Sequence, residues 1–452
     1  MKIRYFVYLV LFAFLASCKP EVNEFTPSKG TADFTTYVAL GNSLTAGYAD
    51  GALYKSGQMY SFANILGQQF ETVGAGKFVQ PVVNSEFGVL PGKLKLGYST
   101  DCRGVTSLGP VSDAGELDSY TNHVDYAVNN MGVPGAKVIH LLAPGYGNIQ
   151  NLPLGLANPY FVKFAATPDI TVLEQALSLS PTFFSLWIGN NDVLGYATSG
   201  GVGDVITPVD QFGGAYAMLV QNLTQGGAKG VLANIPSITD AAFFTTIPYN
   251  IVAIPDTMQY AVDALNAAYA GYNAAMEQMQ KDYRIHFQLG PNPMVIMDPG
   301  MEGVPEYLQF RQMTANELAL LTLPQDSIKC ATWGSAVPVP NQYILTEKEI
   351  TNVTEAITQF NDIIKSTATN NDLAFVDFNA IMHQVATTGL MFEGVTFTPT
   401  FVQGNVFSLD GIHLTPQANA LVANYYIDAI NAKYSANVPK VSITGYPPIQ
   451  FP

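Results

Sequence analysis

Thr36-Tyr37-Val38-Ala39-Leu40-Gly41-Asn42-Ser43-Leu44-Thr45-Ala46-Gly47 opens as an apolar, β-branched run of the kind that forms a strand buried on both faces, and breaks at Gly41. Gly41 and Gly47 allow backbone geometry and close approaches that a Cβ would obstruct. The pattern predicts a short strand ending in a tight turn that presents the Ser43 hydroxyl. A serine so placed is a candidate nucleophile, and it then needs a base for its proton and donors for an oxyanion. An ordinary strand-to-helix turn can carry the same Gly-Asn-Ser-Leu letters, so the partners decide.

Outward from this turn, strands and helices alternate. Residues 57–70 place Phe62, Ile65, Leu66 and Phe70 on one helical face. Residues 76–123 are rich in Gly, Pro, Ser and Asp and read as a long surface excursion, a length usually kept for a purpose such as shaping a pocket. A second strand is expected at 124–129, running into Asn130-Met131-Gly132-Val133-Pro134-Gly135-Ala136. A third at 182–188, preceded by an amphipathic segment at 171–180, runs into Gly189-Asn190-Asn191-Asp192. A helix at 210–223 stops at Gly226-Gly227. A fourth strand follows at 230–236, and a long alanine-rich helix at 256–281 opens on Asp256 as its cap. Residues 287–343 look irregular. Thr346 and Glu349 form a capping box for a helix with Ile350, Val353, Ile357, Phe360 and Ile364 on its buried stripe. A fifth strand is expected at 373–378, and a last helix starts at Thr415-Pro416. Five apolar strands alternating with helices call for an α/β, three-layer αβα fold with a central five-stranded parallel sheet. In such sheets, sites form beyond the carboxyl ends of the strands, where every polar cluster above falls.

The chain of 452 residues shows no repeat, linker or charge block that divides it, and with 48 % hydrophobic and 12 % charged residues it can bury a large core. The formal charge of −15 becomes −17 once Lys2 and Arg4 leave with residues 1–17. Such acidity argues against a nucleic-acid partner. At the amino terminus, Lys2 and Arg4 precede an apolar run at 5–16, too short to span a bilayer comfortably but suited to a signal-peptide core. It closes with Leu15-Ala16-Ser17-Cys18. That ending resembles the bacterial lipoprotein signal, which implies cleavage after residue 17, lipidation of Cys18 and a membrane association through that lipid. Lys19 at the next position favours the outer membrane by the sorting rule of such signals, and 18–33 reads as a lipidated start and tether, flexible over 19–31. Cys102 and Cys330 remain; in an oxidising compartment a disulfide pinning two loops and two unpaired thiols fit equally. No Cys-x-x-Cys or His-Glu-x-x-His pattern exists, and no metal, cofactor or protein partner is expected.

Of the five histidines, His123, His140, His286 and His383 show no carboxylate in a matching turn. His413 does, in Leu409-Asp410-Gly411-Ile412-His413-Leu414-Thr415-Pro416. Three residues apart at the mouth of the last helix, Asp410 can meet the imidazole Nδ1 and leave Nε2 facing a serine hydroxyl. As a lone pattern, Asp-x-x-His is equally a structural turn.

Together the blocks around Ser43, Gly135, Asn191 and Asp410 with His413 resemble, in order, those of the SGNH/GDSL hydrolases, over about 34–436, with insertions near 76–123, 236–256 and 287–343 and a tail at 437–452. The resemblance implies the flavodoxin-like version of the fold and a serine esterase mechanism. Ser43 would attack the acyl carbonyl, His413 would serve as base and then acid, and Asp410 would orient it. The N–H groups of Ser43 and Gly135 with the Asn191 amide would form the oxyanion hole. Asn42 departs from the usual Gly-Asp-Ser and brings no charge, and Asp192 is expected to brace the Asn191 turn. The favoured substrates are carboxylic esters of lipids or amphiphiles, with Ala241–Phe244 and Ile247–Tyr249 either holding an acyl chain or filling the core. The rivals are a carbohydrate acetylesterase and a non-catalytic lipid- or glycan-binding lipoprotein on a hydrolase fold.

Overall fold

In a computed structural model, which describes residues 25–89 and 91–452, the apolar run before Ser43 is strand β1 (Tyr37–Gly41), buried along its whole length. It sits inside a five-stranded parallel sheet with β2 (Asn130–Gly132), β3 (Phe183–Trp187), β4 (Lys229–Ala233) and β5 (Ala374–Val376). The order β5-β4-β3-β1-β2 is that of flavodoxin-like sheets, which reverse direction of growth between β1 and β3. Register pairs Gly41 with both Gly132 and Trp187, so the turns after β1, β2 and β3 leave the sheet at one level.

The helices that frame the sheet and the site include α1 (Ser43–Ala46), α2 (Phe62–Glu71), α3 (Val172–Ser178), α4 (Asn191–Ala197), α5 (Val209–Gln225), α6 (Gln259–Gln278), α7 (Glu347–Asn370), α8 (Phe378–Thr387) and α9 (Pro416–Tyr434). α2 and α9 pack together on one face of the sheet and α5 and α7 on the other, giving three layers. Phe62 stacks on Tyr426 at 5.0 Å in the first layer, and Phe212 on Phe360 at 4.0 Å in the second. Each such buried ring contributes about 2–3 kcal/mol by leaving water. The caps expected at Thr346 and Thr415 form: Glu349 accepts the Thr346 N–H at 2.7 Å, and Thr415 Oγ1 accepts the Ala418 N–H at 3.1 Å. None of the helices among the described residues is long and apolar enough to cross a membrane. The leader at 1–17 and Cys18 lie outside the described residues.

Several elements differ from the sequence reading, each for a local reason. The run at 57–70 is two helices, Lys55–Met59 and α2, because Ser61 caps the second by accepting the Asn64 N–H. Of residues 124–129 only Asn129 bonds to the sheet, its carbonyl accepting the Ala39 N–H at 3.0 Å, while the Val124 N–H turns to Lys163 O at 2.7 Å, and β2 is 130–132. Phe378 starts α8 rather than ending β5, with Asp377 accepting the Ala380 N–H. Asp256 caps nothing: Met258 N–H turns back to Pro255 O and α6 starts at Gln259.

The excursion at 76–123 contains a hairpin, Leu94–Thr100 with Thr106–Ser112, exposed over most of its length. Its return is fixed by Lys163, nearly fully buried, whose Nζ meets Asp118 at 2.8 Å and Asn122 O at 2.8 Å. Removing one member of such a buried pair costs about 3–5 kcal/mol. Residues 247–345 are one body. α6 packs Val262, Tyr269, Tyr272 and Met276 on Phe287 and Val295, and short ladders pair 295–297 with 310–312 and 318–319 with 344–345. Arg311 there bridges Asp298 and Glu317. Cys102 and Cys330 form a disulfide, 228 residues apart, that ties the hairpin tip to this body. Cross-links closing long loops typically stabilise by about 2–4 kcal/mol.

The tether expected over 19–31 is docked from Ser28 onward: Ser28 pairs with Asn437, and Thr31 N–H meets Tyr434 O at 2.8 Å. This is the end of α9 where the Tyr434 hydroxyl donates to Gly230 O at the start of β4. The tail after 437 folds back on α9, burying Val438 and Ile443.

Candidate active site

Gly41 ends β1 where a Cβ would lie 2.1 Å from Thr45 Oγ1 and 2.5 Å from Trp187 O. No other residue lets the chain turn so closely under its neighbour strand, and the turn sets Ser43 at the start of α1, 8 % exposed. Asn42 caps α1 by accepting the Leu44 N–H at 3.1 Å and donates its own amide to Asn190 Oδ1 at 3.0 Å. That second bond needs a donor, which a carboxylate at 42 would lack, and it ties the β1 turn to the β3 turn.

His413 reaches Ser43 Oγ with Nε2 at 2.8 Å and Asp410 Oδ2 with Nδ1 at 2.8 Å. Asp410 also accepts from the His413 and Ile412 amides and Ser408 Oγ on one oxygen, and from the Gly51 N–H on the other. Burial alone would push its carboxyl up. The His413 ring and these hydrogen bonds outweigh burial and hold it well below the usual carboxylate range. An ionised Asp410 keeps the proton on Nδ1, which leaves Nε2 free to accept from Ser43. The Tyr48 ring lies 4.6 Å from the imidazole.

Opposite, Gly135 has φ +80°, and Asn158 braces its turn by donating to Pro134 O at 2.8 Å. Among the described residues, neither the Ser43 N–H nor the Gly135 N–H has a protein acceptor. Asn191 places one amide hydrogen on Ala136 O at 3.0 Å and retains the other. Asp192 accepts the Val138 N–H at 3.0 Å with Oδ2, joining the Asn191 turn to the Gly135 turn. Its Oδ1 is buried without a partner among the described residues, and burial pushes its carboxyl up to about 6. Asn191 and Ser43 line one cavity, and Gly135 adjoins Ala136, so the structure brings Ser43, Gly135, Asn191, Asp410 and His413 to one rim.

The other histidines stand elsewhere. Contrary to the sequence reading, His123 does have a carboxylate: Asp125 Oδ1 at 2.8 Å, two residues on, with Nε2 at 3.0 Å from Ala165 O. His140 stacks on Tyr146, and burial lowers its pKa. Among the described residues no group of three or more His, Cys, Asp or Glu could hold a metal ion.

The cavity that opens beside Ser43 and His413 measures about 110 Å³ and is almost wholly apolar. Ile381, Met382 and Val385 of α8 form one wall, Leu421 and Val422 of α9 another, and Phe244 closes it. Of the two segments singled out for an acyl chain, Ala241 and Phe244 line this cavity, whereas Ile247 and Tyr249 fill the core of the 247–345 body. The α8 wall was missed because 378 was read as strand. The helical spacing of Phe378, Met382 and Val385 is the signal that finds it.

No family model and no curated protein matches the sequence. Among solved structures, the chain is similar to an acetyl xylan esterase, AlAXEase, at 12 % identity and a TM-score of 0.34, covering 87 % of this chain and 98 % of that one. It is also similar to a protein described as a GDSL-like lipase from Parabacteroides merdae ATCC 43184, at 11 % identity and a TM-score of 0.34, covering 90 % of this chain and 99 % of that one.

Proposed function

We propose that the protein is a serine hydrolase of carboxylic esters whose acyl group is apolar, as in lipids and related amphiphiles. The observation that carries this reading is the unbroken line Ser43–His413–Asp410 opening onto an apolar cavity. Ser43 Oγ attacks the ester carbonyl carbon as His413 Nε2 takes its proton, and Asp410 stabilises the imidazolium. The oxyanion is met by the Ser43 and Gly135 N–H groups and the free Asn191 amide hydrogen. The tetrahedral adduct then expels the alcohol, which leaves with the proton from Nε2. Water, deprotonated by His413, attacks the acyl-serine; its collapse returns the proton to Ser43 and frees the acid. Apolar walls strip water from the acyl chain, each buried methylene adding about 0.8 kcal/mol of binding. The leader that resembles a lipoprotein signal supports export and anchoring through Cys18 at the outer membrane.

The test is a panel of p-nitrophenyl esters of rising acyl length together with fluorophosphonate labelling of the native chain and Ser43→Ala. Hydrolysis that rises from acetyl to medium chains, with labelling lost in Ser43→Ala, is expected. Activity confined to acetyl esters would end the lipid reading in favour of an acetylesterase, and no Ser43-dependent labelling would favour a binding protein. In the same expression host, incorporation of labelled palmitate should disappear in Cys18→Ser; persistence would rule out the anchor.

A further inference from the structure

Just past α1, the turn Ala49-Asp50-Gly51-Ala52 belongs to none of the motif blocks, yet it is bonded to the loop that carries Asp410. Asp50 Oδ1 accepts the Leu409 N–H at 3.0 Å, and Asp50 N–H donates to Ser408 Oγ at 2.9 Å. Ser408 Oγ in turn donates to Asp410 Oδ1 at 3.2 Å, while Gly51 N–H donates to Asp410 Oδ2 at 2.9 Å. Both oxygens of Asp410 are thus fixed from this one turn, one through a serine relay and one directly. Asp50 itself adopts φ +52°, a left-handed conformation that non-glycine residues hold at some cost unless their surroundings compel it.

We propose that Asp50 is a positioning residue for the reaction: it locks the Asp410 carboxylate in line with His413 Nδ1 and places a second negative charge behind the imidazolium. This rests on the hydrolase reading above. A turn that needed shape alone would be served by a neutral residue. Here a carboxylate is buried beside another carboxylate, and burial, with the Asp410 charge adding to it, raises the Asp50 pKa. The groups facing Asp50 are the Tyr54 hydroxyl, donating to Oδ2 at 2.7 Å, Asp410 on the triad loop, and Lys93 at the hairpin base, whose Nζ sits over the Tyr54 ring. The Leu94 N–H also donates to Asp50 O at 2.8 Å, so the hairpin that is disulfide-bonded to the 247–345 body holds this turn from behind. That body closes a ring through Phe243, which accepts the Leu321 N–H and donates its own N–H to Gly411 O on the triad loop, each at 2.9 Å.

Asp50→Asn and Ser408→Ala in the full chain test the assignment. With p-nitrophenyl butyrate, Asp50→Asn, which keeps the backbone N–H to Ser408 and an acceptor for the Leu409 N–H but removes the charge, is expected to lower kcat about ten-fold, with KM nearly unchanged. It should also move the acid limb of the kcat/KM profile to lower pH, because the imidazolium loses a stabilising negative neighbour. Ser408→Ala, which removes the relay but no charge, should lower kcat by about ten-fold and leave the acid limb in place. If Asp50→Asn fails to fold, Ser408→Ala still decides, since native kcat there overturns the relay. Native kcat or an unmoved acid limb in a folded Asp50→Asn overturns the assignment outright. Fluorophosphonate labelling separates the two levels. An unlabelled native chain defeats the hydrolase reading, whereas a labelled native chain with Asp50→Asn labelled at the native rate defeats only the role of Asp50.

Discussion

The loop carrying Asp410 and the turn carrying Asp192 each bury one aspartate within a few residues of the reacting groups, and their surroundings treat the two carboxylates in opposite ways. Asp410 is met by donors from Gly51, Ser408, Ile412 and His413, and its charge is held far into acid. Asp192 has the Val138 N–H on Oδ2 and no hydrogen bond on Oδ1 among the described residues, and burial outweighs the Thr207 side chain, the Val138 N–H and Lys137 and lifts its carboxyl to about 6. The difference teaches where this rim wants negative charge. In the proposed reaction, an anion beside the imidazole stabilises the cation that forms. Beside the Gly135 and Asn191 donors, a firmly held anion would oppose the charge that develops on the substrate.

Asp410→Asn should break the comparison most severely. Loss of the anion and of the Nδ1 tautomer preference is expected to cost about ten-thousand-fold in kcat, read with p-nitrophenyl butyrate; a loss of only about ten-fold would show that the anion is dispensable. On the other side, Asn191→Ala removes one donor and should lower kcat by about a hundred- to a thousand-fold. Its effect on stability should be only about 1 kcal/mol, the worth of the bond to Ala136 O; a KM effect with unchanged kcat would place Asn191 in substrate binding alone. The smallest effect concerns Asp192 and stability. Its folded pKa of about 6 stands above the ordinary 3.8, so the native state holds this proton more tightly than the unfolded chain does. The stability it contributes is complete below the unfolded pKa and is lost as pH rises through 6. Between pH 4 and 7 urea unfolding should therefore move in favour of Asp192→Asn over the native chain by about 2 kcal/mol. An equal gap at both pH values would mean that Asp192 is not raised.

How far the sequence revealed this arrangement depends on the length of each element. β1, β3 and β4 are apolar five-residue runs, and α7 carries its stripe and capping box openly, so periodicity and caps sufficed. Asp410 and His413 are neighbours in sequence, and their contact follows from turn geometry. The reach from His413 to Ser43 spans 370 residues, and only the family resemblance anticipated it. Other parts left little trace. β2 and the ladders of 247–345 are two or three residues long, too short for any alternation to register. The 94–112 hairpin is wet on both sides, so its side chains show no inside and outside. Asp50 escaped notice because its importance lies in hydrogen bonds to a loop more than 350 residues away, and no local pattern encodes such a partner. The Cys102–Cys330 pairing depends in the same way on two insertions meeting in space.

One earlier detail fixes how the molecule presents itself. The first described segment is clasped at Tyr434 and Asn437, whereas His413 and Thr415 stand at the opposite end of α9, about 28 Å away for a helix of 19 residues. Anything that moors the chain upstream of Phe25 therefore grips it at the end of α9 remote from the mouth. A pull from that side would load the Ser28–Asn437 and Thr31–Tyr434 clasp first, at the end of α9 that does not carry the triad.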